Sequence, residues 1–379
     1  VNMIDWGRLV APGIRQLRPY RPGITEERLQ RERGLSRIFK FSSNETPVEP
    51  SPAIAAAMAE ALRKANRYPD AHALLERLSA KLQVPAQGLM LGNGSIDLIE
   101  SVVRTFVAPG CNVVLSEYGY CAYPPLVTAQ GGEVRVAASS GGFGHQVDRI
   151  LASIDDNTRM VIVDSPSNLA GASLALAELD RLVHALPPRV ILLLDEAYIE
   201  FADIDPTHTA ALPLAFPNVI VARTFSKAYG LAGMRVGYAI ADPDLASWVQ
   251  RLRPPFPVGR VAMAGALAAL DDTTHLQGVV QAARRGREQL ATGLRELGVK
   301  VLANEGNFVL ADFGDNGRRV YEGLLAQGLI TRAMEAYGLP QQLRISIGAP
   351  HEVARLVEAV RELLQQPTGR AEKLQRSEA

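Results

Sequence analysis

From about residue 50 onward, strand-length apolar runs alternate with segments whose apolar positions recur at helical spacing. Residues 52–64, 95–106 and 123–130 carry the helical pattern. Residues 112–116, 160–164, 190–195, 219–222 and 235–240 read as short buried strands. Continuous apolar strands between helices imply a mostly parallel sheet covered on both faces. After Pro254-Pro-Phe-Pro257 the pattern changes to longer helical stretches at 262–270 and 276–297, the latter with Arg284, Arg285, Arg287 and Glu288 on its wet face. Strand patterns at 299–302, 307–312 and 343–347 and a helix at 351–364 follow. The fold class is therefore α/β: a large domain over 50–257, a smaller α+β domain over 258–364, and an N-terminal segment, 1–49, expected to pack on the small domain. From 365 to 379, Pro367, Gly369 and mixed charges with few apolar residues predict a disordered tail.

Composition narrows the function classes. Forty basic and forty acidic residues cancel, so no global field favours nucleic acid or an anionic membrane. No apolar run reaches membrane-span length, and the N-terminal residues lack a basic segment followed by an apolar one, so the expected location is cytoplasmic. Cys111 and Cys121 are too few for a disulfide framework, have no metal-ligand spacing, and read as buried small residues. The six histidines show no metal spacing either, and none is assigned to catalysis.

The chemistry concentrates in Arg223-Thr-Phe-Ser-Lys-Ala-Tyr-Gly-Leu-Ala-Gly-Met-Arg235, where hydroxyls, one lysine and two arginines surround a glycine-rich turn. A lysine among small hydroxyl residues can form an imine with a carbonyl, while the hydroxyls and Arg235 offer donors to a phosphate. An aldehyde that carries a phosphate is pyridoxal phosphate. Taken alone, however, Lys227 is as readily a solvated surface charge. The apolar run 190–194 ends in Asp195, at the carboxyl end of a strand where open α/β sheets collect ligands. A carboxylate there can keep a pyridine nitrogen protonated, and read by itself it equally caps the following turn. Gly92-Asn-Gly-Ser95 is a phosphate turn or an ordinary helix cap.

Asp195, Lys227 and Arg235 together resemble the fold-type I aminotransferases that use pyridoxal 5'-phosphate. The nearest form is the histidinol-phosphate aminotransferase branch, which Leu17-Arg-Pro-Tyr-Arg-Pro-Gly23, Asn66-Arg-Tyr-Pro-Asp70, Gly92-Asn-Gly-Ser95 and Leu343-Arg-Ile-Ser-Ile-Gly348 also resemble. The similarity spans nearly all of residues 10 to 362. It implies a phosphate cup formed by Gly94, Ser95, the backbone N–H of Ile96, Thr224, Ser226 and Arg235, with Tyr68 contributed across a homodimer interface on which the segment 1–49 also packs. Catalytic roles fall on Lys227, Asp195 and Tyr198. Asn168 partners Tyr198 at the cofactor's ring oxygen, and Tyr120 stacks on the ring, whereas Tyr123 reads as interior packing.

Substrate contacts implied by the resemblance are Tyr20 from the neighbouring subunit, Asn44, Arg332 and Arg344. Arginine is suited to phosphate or carboxylate because its planar fork makes two parallel bonds. A solvated surface residue is the other reading of Arg332. The family's usual pattern has a polar residue at Ile96 and Asn-Pro-Asn-Asn-Pro-Thr-Gly where this chain has Ser165-Pro-Ser-Asn-Leu-Ala-Gly171. The implied activity is ping-pong transfer from L-histidinol phosphate to 2-oxoglutarate, giving imidazole acetol phosphate and L-glutamate, with a place in histidine biosynthesis. Transfer from an aromatic or other amino acid, or decarboxylation of a phosphorylated amino acid, needs the same cofactor residues.

Overall fold

The computed structural model describes residues 4–19, 23–302 and 305–366. It contains two compact units, residues 1–20 with 50–277, and residues 21–49 with 278–379.

The first unit is built on a seven-stranded sheet. Across it lie Leu89–Gly92, Gly237–Ile240, Val219–Thr224, Ile191–Asp195, Thr158–Asp164, Asn112–Ser116 and Glu133–Ala137. All neighbours are parallel except Gly237–Ile240, which runs antiparallel to both strands beside it. Successive side chains of a strand point to opposite faces, and here both faces are apolar. Val161, Val163, Leu192, Leu194, Val219 and Val221 enter one core. Met160, Ile162, Ile191, Leu193 and Ile220 enter the other. Each fully buried Val, Leu or Ile side chain contributes about 1.5–3 kcal/mol, so this central block fixes the strand register before any polar contact acts.

Helix ends follow local chemistry. Ser51 caps Pro52–Leu62 by accepting from the Ile54 N–H, and Pro52 occupies the first turn, where its missing donor does no harm. The helix Arg260–Asp271, which the sequence reading gives to the smaller domain, belongs to the first unit. It packs on Pro52–Leu62 and His72–Leu82 and sends Ala262, Met263, Ala266, Ala269 and Leu270 into the first core. The boundary consequently falls inside the helix Thr273–Glu296 and not at the proline cluster.

In the second unit, a four-stranded antiparallel sheet runs Arg332–Met334, Leu339–Ser346, Phe308–Asp312, Lys300–Val301. Phe39–Lys40 pairs in parallel with Leu329–Ile330, which ties residues 23–49 into this unit, whereas residues 4–19, expected to pack on the small domain, belong to the first unit and pack there on the helix Tyr123–Ala129. Leu290, Leu294, Val309, Ile345, Leu356 and Val360 form its core. Residues 367–379, expected from their composition to be a disordered tail, lie outside the described residues.

Candidate functional site

Three parallel strands of the first unit end in polar residues: Asp164, Asp195 and Thr224. Asp164 and Asp195 are register partners, as are Asp195 and Ala222. Beyond these strand ends lies a cavity of about 200 Å³ lined by Ser95, Ile96, Tyr120, Asp164, Asn168, Asp195, Tyr198, Thr224, Ser226, Lys227 and Arg235, together with Pro166 and Ala197. Ten of the proposed cofactor residues are thereby brought to one place. Gly94 stands at the edge of this group as the residue before the helix Ser95–Phe106.

One group of lining residues is rich in hydrogen-bond donors. The helix Ser95–Phe106 opens at Gly94 without a side-chain cap, so its first backbone N–H groups are not met by a capping side chain. Gly94 has φ +82°, and a Cβ there would come within 2.5 Å of an Arg235 Nη. A Cβ on Gly237 would meet backbone at Ser95 N, 2.6 Å away. Only glycine at both positions lets the turn lie against the arginine and the neighbouring strand. Thr224 Oγ1 donates to Ser226 Oγ at 2.9 Å, and Arg235 Nη1 donates to the same oxygen at 3.2 Å. Arg235 makes no salt bridge among the described residues, and its remaining bonds go to the Ala232 and Asn93 carbonyls. Arg235 itself lies outside the strand expected at 235–240. Its φ of +55° is left-handed, and the strand starts at Gly237.

Other lining residues are acidic and buried. Asp195 is pushed up to about 7, mainly by burial, with the hydrogen bond from Tyr123 acting to lower it and the Asp164 charge acting to raise it. Burial also raises Asp164, against the opposing effect of His145. Tyr123 is not merely interior packing, because its hydroxyl donates to Asp195 Oδ2 at 2.8 Å. Burial and the two carboxylates hold its phenol well above the usual range, so it remains a donor. Tyr120 meets Tyr123 edge to face, with centroids 5.5 Å apart.

Lys227 reaches over the Tyr198 ring, with Nζ 5.7 Å from the centroid. Asn168 Nδ2 donates to Tyr198 Oη at 2.9 Å, as the sequence pairing of these two residues expects. Leu169, the residue after Asn168, is fully buried, which anchors this loop by packing. Sequence reasoning missed two members of the cluster. Asp164 ends an apolar run just as Asp195 does, so its position was legible. His145 sits in a loop with no pattern around it, yet its side chain is 2% exposed and its Nε2 lies 2.6 Å from the Asp164 carbonyl. Cys111 and Cys121 are partly exposed and not buried, and neither forms a disulfide.

Tyr68 does not line this cavity. It is 79% exposed and stacks on Phe256, with centroids 4.6 Å apart. Tyr20 lies outside the described residues. The second unit gathers the other three substrate candidates. Arg332 and Arg344 are direct cross-strand partners, and Arg344 is buried, with Nη2 donating to the Ser42 carbonyl at 3.4 Å. Two guanidinium groups on adjacent strands offer paired donors suited to an anion. Asn44 is fully buried at φ +53°. It is pinned by a bond from its N–H to Ser346 Oγ, 2.8 Å, and by the Ser346 hydroxyl donating to its Oδ1, 2.9 Å.

Comparison with known proteins adds to this geometry. Residues 36–363 match the family model described as aminotransferase class I and II. A histidinol-phosphate aminotransferase 2 of Pseudomonas fluorescens is 41% identical over 361 residues, covering 94% of this chain and 97% of that protein. A histidinol-phosphate aminotransferase 1 of Thiobacillus denitrificans is 42% identical over 364 residues, covering 95% of this chain and 94% of that protein. The crystal structure of histidinol-phosphate aminotransferase from Sinorhizobium meliloti in complex with pyridoxal-5'-phosphate superposes with a TM-score of 0.87 at 29% identity, covering 93% of this chain and 97% of that one.

Proposed function

Because this chain belongs to the class I and II aminotransferases, we propose that it moves the amino group of L-histidinol phosphate to 2-oxoglutarate, yielding imidazole acetol phosphate and L-glutamate in a ping-pong cycle. The observation that carries the substrate reading is the cross-strand pair Arg332 and Arg344, two forked guanidinium donors on adjacent strands, a set suited to a phosphate.

The lining of the cavity fits pyridoxal 5'-phosphate. Arg235, without a carboxylate partner among the described residues, joins Thr224, Ser226, Ser95 and uncapped helix N–H groups as a donor set suited to a dianion. Asp195, a buried carboxylate, suits a protonated ring nitrogen, and Tyr198 with Asn168 suits a phenolic oxygen. When bound, this cofactor supplies an aldehyde that accepts an amine and a cationic ring that draws electrons from the carbon bearing that amine.

The chain's own groups do the remainder. Lys227 Nζ carries the proton from the amine-bearing carbon of the donor and returns it in the second half-reaction to 2-oxoglutarate's carbon. Tyr123 favours the ionised form of Asp195, and the buried setting strengthens every charge pair formed there. Arg332 and Arg344 receive the substrate's phosphate, and Arg344 the carboxylate of 2-oxoglutarate. Ser346, two residues beyond Arg344 on the same strand, fixes Asn44 and keeps that surface in place.

The protein acts as a homodimer with shared sites. Tyr68 supports this reading, since it is exposed on its own chain and outside its own cavity, available to the phosphate of the partner's site. Light scattering that returns a fully active monomer would contradict it. The substrate reading is tested by glutamate formation from 2-oxoglutarate with L-histidinol phosphate, histidinol and aromatic amino acids as competing donors. Preference for the phosphorylated donor is the expected result. Equal turnover of histidinol would remove the reading of the arginine pair, and carbon dioxide release would replace transfer by decarboxylation.

A further inference from the structure

Asp164 is a buried carboxylate that the reaction outlined above leaves unused. It is 3% exposed, ends the strand next to that of Asp195, and lines the same cavity. Register partners in a parallel pair lie about 4.8 Å apart and point to the same face, so the two acids are neighbours. Oδ2 of Asp164 accepts from the backbone N–H of Asn168 at 2.6 Å, and the backbone N–H of Tyr120 also bonds to its carboxylate. The other oxygen, Oδ1, accepts no hydrogen bond and faces His145 Nε2 at 3.5 Å. That ring nitrogen lies 2.6 Å from the Asp164 carbonyl, an acceptor, so Nε2 carries a proton. Nδ1 of His145 is buried without a partner among the described residues.

One carboxylate therefore joins three segments: the loop of Asn168, whose amide bonds Tyr198; the turn of Tyr120; and the loop of His145. We propose that Asp164, with His145 as its buried partner, is a positioning residue of this site that anchors the Asn168 loop and the Tyr120 turn and shares a protonation equilibrium with Asp195. The titratable groups around it are His145, Asp195, Tyr123 and Tyr120, with Tyr198, Lys227 and Arg235 elsewhere on the cavity wall. Two neighbouring buried acids do not ionise independently, because the first negative charge opposes the second. Burial raises both, and each carboxylate acts on Tyr123 in the same direction. Asp164 thus makes Asp195 a stronger proton holder in the cofactor-free chain, while tying down the two segments that border it.

The proposal takes only its consequence for turnover from the aminotransferase reading, and the deciding measurement does not involve turnover. The full chain without cofactor, labelled with ¹³C at the aspartate carboxyl carbons, is titrated from about pH 4 to 9, with Asp164→Asn and Asp195→Asn serving for assignment. In the wild-type chain the resonances of Asp164 and Asp195 should move in the same two steps. In Asp164→Asn the Asp195 resonance should show one step, lower by about 1–2 pH units. Independent single steps in the wild-type chain overturn the coupling even if the variant does not fold, and an Asp195 step unmoved in Asp164→Asn does the same.

Anchoring has its own readout in the loaded enzyme. Asp164→Asn, which keeps an acceptor oxygen, should lower kcat less than Asp164→Ala, with the donor KM unchanged in both and the acidic limb of the kcat profile displaced. Equal kcat loss with an unmoved profile would reduce Asp164 to a structural role. Coupled titrations in a chain that transfers no amino group would leave the inference standing and remove the proposed function.

Discussion

Tyr123 donates its hydroxyl to Asp195 Oδ2 at 2.8 Å, and both residues are buried. The bond favours the ionised carboxylate, the form that pairs with a protonated ring nitrogen. Tyr123→Phe keeps the packing against Tyr120 and removes only this donor. Hydrogen bonds to charged groups are worth about 1.5–3 kcal/mol, so cofactor affinity measured by equilibrium dialysis should fall by about 10-fold or more. Unchanged affinity would mean that the phenol is a packing element after all.

Asp195 is buried and Glu200 half-buried, and both are pushed up to about 7 from ordinary carboxylate values, chiefly by desolvation. Between the unfolded and folded values the native chain binds more protons than the unfolded one, so stability from these groups is present at low pH and declines as pH rises toward 7. The Tm of the cofactor-free chain should therefore decrease by a few degrees between pH 5 and pH 8. Asp195→Asn should flatten that slope. Parallel slopes for the two chains would contradict the argument.

Lys227→Ala removes the one amine of the cavity. Its expected effect is loss of transfer by at least about 10³-fold, because the proton at the amine-bearing carbon loses its carrier. The donor set of Thr224, Ser226 and Arg235 is untouched by the change. The variant should accordingly still hold cofactor through dialysis, though less tightly. Turnover near the wild-type rate would remove the assignment of Lys227.

Arg332 and Arg344 should separate in steady-state kinetics. Arg332→Ala is expected to raise KM for L-histidinol phosphate by about 10–100-fold, the equivalent of one charge-assisted contact, and to leave KM for 2-oxoglutarate nearly unchanged. Arg344→Lys should raise both, since an ammonium lacks the two-pronged geometry. A KM for the phosphorylated donor that is indifferent to Arg332 would return that residue to the solvated surface.

Arg223 is 1% exposed and donates to Glu196 Oε2 at 2.8 Å and to Thr209 Oγ1 at 3.0 Å. Removing one partner of a buried ion pair leaves the other charged in a dry site. Arg223→Met should destabilise the chain by about 3–5 kcal/mol in denaturant unfolding, and the double change with Glu196→Gln should recover part of it.

Much of this was legible in the chain. Parallel strands buried on both faces leave unmistakable runs such as 190–194, and their polar ends announce where ligands gather, as Asp195 shows, whereas Thr224 is legible only through the hydroxyl-rich motif it shares with Ser226 and Lys227. Asp164 obeys the same rule and was passed over because the pattern does not say which polar strand ends do chemistry. The partnership of Tyr123 with Asp195 spans 72 residues and has no local signal. His145 likewise becomes visible only when its loop is seen closing on the strand end. Ala262 and Met263 read as the start of a new domain because helix periodicity reports a buried face without naming the surface it is buried against.

Arg235 occupies a left-handed backbone position, which costs a residue with a side chain about 1–3 kcal/mol, and its guanidinium is already bonded to Ser226, Ala232 and Asn93. The strain is borne by the resting chain, before any anion arrives. Reconstitution should then proceed as a single bimolecular event whose rate grows in proportion to added cofactor, with no slow ordering phase behind it.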